Sequence, residues 1–342
     1  MERAVAAATL ALTPGVGRAR YRELVDRHGD PRDALSAMPE RQEAIAGGVA
    51  LVADAERAGA LVVDYAASGY PASLLDLADP PPLLFVRGHL DWLGDGAPVV
   101  ALVGTRTATA YGERIARELA AALARAGAVV VSGMARGIDA AAHAGALGAG
   151  GRTGAVLGTG IDVAYPAAHR ALHARLGADG VLLSELPPGE RANGGSFPDR
   201  NRIIAALASV TIVVEAGHRS GALITAAKAL ELGRQVAAVP GPIDAPQSAG
   251  ANQLLRDGAQ VIASVEDALA LAGITLPPRA PDPELAGPAR AVWDALAQGA
   301  ADVDTLATAT SLPAREIMAA LTRLELSGAV ECALTGEVRR RL

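Results

Sequence analysis

Between residues 66 and 273, short apolar runs alternate with stretches of helical period. The runs are PPLLFVRG, PVVALVG, AVVVSG, TGAVLG, GVLLSE, VTIVVE and QVAAVPG. Those after the first are short, β-branched and nearly continuous, the pattern of parallel strands buried on both faces. Between them, residues 110–126, 138–149, 167–176 and 220–232 repeat apolar positions at helical spacing. Strand and helix in alternation predict an α/β domain with a doubly wound, Rossmann-like parallel sheet.

The flanks follow a different rhythm. Residues 1–65 are Ala-rich and helical in period. Pro14-Gly15-Val16-Gly17 forms a tight turn between two amphipathic stretches. Such a turn resembles a helix-hairpin-helix, whose backbone amides can hold a phosphate. Taken alone, it favours a small helical domain that packs or mediates contacts. Residues 274–288 are Pro-rich and read as a linker. Residues 289–342 hold helical stretches at Ala289–Gln298, Val303–Thr310 and Pro313–Ser327. Strand-like pieces at Ala329–Leu334 and Glu337–Leu342 follow, so the segment is expected to be a winged helix. Arg339, Arg340 and Arg341 would lie on its wing or tail.

Composition narrows the chemistry. The 342 residues are 51% hydrophobic but only 3% aromatic, so the cores must be built from Ala, Val, Leu and Ile. No apolar run reaches the ~18–20 residues of a membrane span. The first residues read as a helix rather than a signal peptide. One cysteine, Cys332, excludes an internal disulfide framework and a Cys-rich zinc site, and suits a reducing cytoplasm. His169 and His173 stand four apart without a third ligand, which favours a structural role. No metal or cofactor is expected. Net charge is −6, against a protein that simply coats DNA, yet residues 100–258 carry 15 Lys+Arg against 12 Asp+Glu, a net +3, which leaves −9 for the remainder. An acidic chain with a basic middle is compatible with a local anion groove.

In an open parallel sheet, ligands bind beyond the carboxyl ends of the strands. Small residues and arginines follow many of the expected ends: Gly104-Thr105-Arg106, Ser132-Gly133 with Arg136 and Gly137, Gly158-Thr159-Gly160, and Ser220-Gly221 after Glu215. Small residues expose backbone amides, and helix amino termini behind them favour anions. Neither the dinucleotide nor the P-loop glycine fingerprint is present, and Ser132 lies in no nucleophile elbow. Asp139, Asp162, Glu185 and Glu215 could form acid/base pairs, but orienting arginines or capping helices fits them better. Phe197, one of two phenylalanines, stands in an apparent loop before Arg200 and Arg202. An aromatic ring beside arginines at a helix start is the pattern of a groove for unpaired bases.

The strings ALVGTRTATAYG, VVSGMARGIDAAAHAGAL, AVLGTGIDVAYPAAH, LLSELPPG, FPDRNRIIAALA, VVEAGHRSGALITAAKALELGRQVAAVPGPID and GANQLLRDGA are similar, in order and spacing, to the DNA-processing protein A (DprA/Smf) family. The likeness spans roughly residues 70–262. It implies a single-stranded DNA binder that is not an enzyme. Such a protein protects incoming strands in natural transformation and loads the RecA recombinase by displacing or bypassing single-strand binding protein. It also implies a homodimer formed through the α/β domain. Carried over by position, the groove comprises Gly104, Thr105, Arg106, Ser132, Gly133, Arg136, Gly137, Phe197, Arg200, Asn201, Arg202, Ser220 and Gly221. Phe197 is expected to stack on a base. Arg106, Arg136, Arg200 and Arg202 are expected on phosphates or in supporting hydrogen bonds. Asp139, Glu185, Asp199 and Glu215 would support them. Two departures matter: Thr105 stands where serine is common, and only glycines, Gly194 and Gly195, precede Ser196 and Phe197 where a lysine would add charge. The alternative is a nucleotide-processing, phosphoribohydrolase-like enzyme with Glu215 and Arg136 around a nucleoside monophosphate.

Overall fold

The protein is described from a computed structural model covering residues 1–38, 41–192, 195–275, 285–297, 302–327, 329–332 and 338–340. It divides into two compact units, Met1–Thr275 and Leu276–Leu342.

In the first unit, helices α1 (Arg3–Leu12), α2 (Arg18–His28), α3 (Pro31–Ser36) and α4 (Arg41–Arg57) lead into β1 (Leu61–Asp64). Their small core gathers Ala6, Leu10, Tyr21, Leu24 and Leu35. The sheet continues with β2 (Leu83–Gly88), β3 (Val99–Gly104), β4 (Val129–Ser132), β5 (Thr153–Leu157), β6 (Val181–Ser184), β7 (Val210–Glu215), β8 (Gln235–Ala238) and β9 (Gln260–Val261). Helices α5 (Ala110–Arg125), α6 (Ile138–Gly148), α7 (Arg170–Asp179), α8 (Ser196–Leu207), α9 (Gly221–Glu231), α10 (Ala249–Arg256) and α11 (Val265–Leu271) connect them.

The sheet order is β1-β2-β6-β5-β4-β3-β7-β8-β9. From β3 the chain winds outward through β4 and β5 to β6, then crosses back to β7 and winds the other way. All pairings from β6 to β9 are parallel. β2 runs antiparallel to both β1 and β6. Alternate residues of one strand face opposite cores, as the pleat requires. Val100 and Leu102 meet Leu119 and Leu123 of α5 on one side. Ala101 and Val103 meet Ile203, Ile204 and Leu207 of α8 on the other. With so few aromatics, close packing comes from alanines on α5, α6, α8 and α9 laid against branched strand residues.

The segment 1–65 expected to be wholly helical is corrected at its end: β1 joins the sheet, pairing Leu61–Asp64 with Leu83–Val86. β1 is a partly exposed edge strand directly after an Ala-rich helical run, so it lacks the buried-strand pattern of the others. β1 is also tied to α1, because Arg3 donates to both carboxylate oxygens of the buried Asp64, at 2.7 and 2.9 Å. β9 was too short to be expected.

The second unit contains α12 (Pro288–Ala297), α13 (Val303–Thr310) and α14 (Ala314–Leu326), then the antiparallel strands β10 (Val330–Cys332) and β11 (Val338–Arg340). Val292, Trp293, Leu306, Ile317, Leu321 and Leu324 form its core. Arg340 lies over the Trp293 ring, 3.7 Å from its centroid, rather than reaching outward. Arg341 and most of the Pro-rich segment lie outside the described residues.

Candidate nucleic-acid interface

The site is built on the loops that leave the carboxyl ends of β3, β4 and β5 and on the start of α8. The loop after β3 presses against the loop after β4 at Gly137. There φ is +73°, and a Cβ would stand 2.4 Å from the Thr105 carbonyl oxygen, so only glycine fits. The Ile138 amide donates to that same carbonyl at 3.3 Å. Behind the first loop, Glu215 is buried. Its carboxylate accepts from the Thr109 amide and hydroxyl, both at 2.8 Å, while its own carbonyl accepts from the Thr105 amide at 2.7 Å. Thr109 in turn caps α5 by accepting from the Gly112 amide at 3.1 Å. The carboxylate is thus committed to holding the loop. What the two loops present outward is Arg106 and Arg136, both exposed and neither in an ion pair among the described residues. They line one cleft together with Thr107, Gly137, Ala140 and His169.

The segment expected to be a loop around Phe197 is the first turn of α8, which starts at Ser196. Pro198 does not delay the helix, because a proline in the first turn lacks only an amide that would have no intrahelical partner. Asp199 also lies in that turn and is exposed. Phe197 is half-buried. Its ring lies against Gly158, where a Cβ would come within 2.8 Å of Cδ1. Arg106 lies over the ring at 5.0 Å from its centroid, and the exposed Tyr165 meets it at 5.0 Å with planes tilted by 40°. Tyr165 was not anticipated. The signal for it was the same as for Phe197, a scarce ring in a polar stretch.

Of the two roles expected for Arg200 and Arg202, on phosphates or in supporting hydrogen bonds, both make supporting hydrogen bonds. Arg200 is 6% exposed and Arg202 7%. Both lie beyond the first turn of α8, where the helix packs on the sheet. Arg200 donates from Nη1 to the carbonyls of Gly133, at 2.7 Å, and Val156. Beside it is Asp139, fully buried, which accepts from the amides of Gly133 and Ala135 at 3.2 and 3.3 Å. Burial raises the Asp139 pKa, opposed by the Arg200 charge, and burial lowers that of Arg200. Arg202 donates to both carboxylate oxygens of Glu185 at 2.9 and 2.8 Å. Both arginines therefore support the loops from within.

Ser132, expected in the groove, is fully buried, and its hydroxyl donates to the Leu102 carbonyl at 2.6 Å. Gly133 is buried and Gly104 half-buried. Thr105 is half-buried, its hydroxyl 3.3 Å from that of Thr107. Asn201 accepts from Arg200 Nε at 3.2 Å and donates to the Gly221 carbonyl at 3.3 Å, joining α8 to the start of α9. Ser220 caps α9 by accepting from the Ala222 amide at 3.3 Å. His169 and His173 each bond a backbone carbonyl, of Met134 and Ile161. Among the described residues, no three His, Cys, Asp or Glu side chains group to hold a metal, and no helix is long and apolar enough to cross a membrane.

Comparison with known proteins agrees with this architecture. Residues 60–273 match the family described as DNA recombination-mediator protein A, residues 276–333 the DprA winged helix domain, and residues 2–60 the DprA-like N-terminal HHH domain. The chain is 44% identical over 274 residues to a putative DNA processing protein DprA of Mycobacterium tuberculosis, covering 78% of this chain and 70% of that one. The X-ray structure of DNA processing protein A from Streptococcus pneumoniae superimposes with a TM-score of 0.68 at 34% identity, over 79% of this chain and 98% of that one. A structure of the Helicobacter pylori protein, described for its single-stranded DNA binding mode, superimposes with a TM-score of 0.57 at 30% identity, over 63% and 97%.

Proposed function

Because the chain belongs to the DNA recombination-mediator protein A family, we propose that it binds single-stranded DNA along the rim formed by the loops after β3, β4 and β5 and the start of α8. Membership supplies DNA processing as the broad role. The observation that carries the finer reading is the Phe197 ring at the start of α8, seated on the buried Gly158 and set between Arg106 and Tyr165. Phe197 stacks on an unpaired base, and Tyr165 widens the platform. Arg106 and Arg136 neutralise phosphates. Arg106 is long and exposed, so it exchanges its contact with the ring for a charge-assisted hydrogen bond to the strand. Gly137 keeps the rim low enough for the backbone to approach, and Gly158 leaves room for the Phe197 ring to lie against it.

Arg200, Arg202, Asp139 and Glu215 shape this surface without touching the strand. The bound strand is protected and passed to the RecA recombinase during transformation, in a homodimer that lengthens the groove. The Helicobacter pylori relative, described for binding single-stranded DNA, supports the ligand class. Fluorescence anisotropy with labelled oligo-dT tests the site: Phe197→Ala is expected to weaken affinity by about 5- to 100-fold, the ~1–3 kcal/mol of one stacked base. Unchanged affinity would refute the groove.

A further inference from the structure

The helical segment that opens the chain reaches the base-binding helix through one closed ring of charges. Arg18 is the first residue of α2, directly after the Pro14–Gly17 turn. Its Nε lies 2.9 Å from Glu185 Oε1 in an ion pair, and its Nη1 donates to Asp79 Oδ2 at 3.0 Å. Arg202 of α8 completes the ring, with Nη2 2.8 Å from Glu185 Oε2 and Nε 3.6 Å from Asp79 Oδ2. Each arginine thus faces both carboxylates. Two corners are buried, since the Glu185 and Arg202 side chains are 13% and 8% exposed. Among the described residues, Arg202 Nε and Nη1 make no hydrogen bond, so its hydrogen bonds are those of Nη2 to Glu185. Glu185 stands where burial disfavours its charge, opposed first by Arg202 and then by Arg18.

Arg18 also lines a small cavity with Glu185, Ser196, Asp199 and Arg200, which sets it against the first turn of α8, one residue from Phe197. Breaking a buried ion pair from one side leaves the other charge uncompensated. Removing Arg18 takes one of two cations from Glu185 and loosens its hold on Arg202, hence on the start of α8. We infer that Arg18 is a positioning residue for single-stranded DNA, through which the amino-terminal helices fix the angle at which α8 presents Phe197. This inference rests on the groove proposed above and gives the helical segment a role in binding without contact to the strand.

A double-mutant cycle on the full chain tests it, with oligo-dT affinity and thermal midpoint read on Arg18→Met, Phe197→Ala and the double variant. Arg18→Met is expected to weaken affinity about fivefold with Phe197 present and to have almost no further effect in Phe197→Ala, because coupled residues are not additive. Arg18→Lys, which keeps a cation between the two carboxylates, should restore most of the loss. A purely structural role would lower the midpoint with affinity unmoved. Parental affinity in folded Arg18→Met, or equal losses in both backgrounds, would overturn the inference. If Arg18→Met does not fold, Asp79→Asn opens the ring at its exposed corner: weaker binding only when Phe197 is present supports the coupling, and equal losses reject it. Should Phe197→Ala alone bind like the parent, the groove itself is wrong and the coupling falls with it.

Discussion

Arg200 and Arg202 stand two residues apart on α8, and neither is free to meet a ligand. In the sequence two guanidinium groups after an aromatic ring at a helix start suit either phosphate contacts or supporting hydrogen bonds. Their burial could not be read there, since a charged residue is almost never fully buried unless it is paired. Here Arg200 finds two strand-end carbonyls and Asp139, and Arg202 finds Glu185. The consequence is measurable. Arg200→Met leaves the Gly133 and Val156 carbonyls without this donor, and is expected to lower unfolding free energy by about 1–3 kcal/mol. Urea titration checks this. A surface phosphate ligand would instead lose DNA affinity with stability intact. Arg106 differs from this pair because it is exposed, and Phe197 because it is only half-buried.

At the scale of elements, the rim works because helix starts and strand ends are pinned to each other. Glu215, the last residue of β7, holds Thr109 through both amide and hydroxyl, and Thr109 caps α5. Thr109→Val keeps the shape and the amide but loses the hydroxyl, and with it the cap and one bond to a buried carboxylate. A loss of about 1–2 kcal/mol is expected, again by urea titration, together with weaker oligo-dT binding as the Arg106 loop loosens. The long strands and helices were legible from apolar periodicity alone. The start of α8 was not, because Phe197 and Pro198 resemble a loop until the helix is seen to begin at Ser196. β1 was missed because it is a partly exposed edge strand directly after an Ala-rich helical run, and β9 because two residues hold too little pattern against noise.

At the scale of the whole molecule, charge and burial set the response to salt and acid. The chain is acidic overall, so binding to a polyanion must come from a few local cations. The slope of log affinity against log salt is expected to flatten by about 0.7 for each of Arg106→Ala and Arg136→Ala, and to stay unchanged for Arg202→Met. Anisotropy across a salt series decides between them. Acid acts through His143, which is fully buried, bonded through Nδ1 to the Thr153 hydroxyl, and, among the described residues, without a partner for Nε2. Burial pushes its pKa from 6.5 down to about 3, with the Arg200 and His169 charges adding to the shift. The unfolded chain therefore takes up a proton below about pH 6.5 that the folded protein refuses until about pH 3, and stability falls as pH drops between these values. At pH 5 this costs about 2 kcal/mol relative to pH 8. His143→Gln should shrink the loss between those pH values by that amount, and an unchanged loss would mean that His143 is protonated in the folded state.

By itself the sequence determined the layered fold, the ends of the strands where small residues and arginines gather, and the family likeness, because each rests on local periodicity or on strings of neighbouring residues. Tertiary structure alone decided which arginines face solvent. It also decided that Tyr165 joins Phe197, that Glu215 serves a helix cap, and that Arg18 meets Glu185 across 167 positions of chain. Side-chain direction and burial depend on which elements pack together, and charges so distant in sequence acquire their meaning only when the fold brings them within a few ångströms.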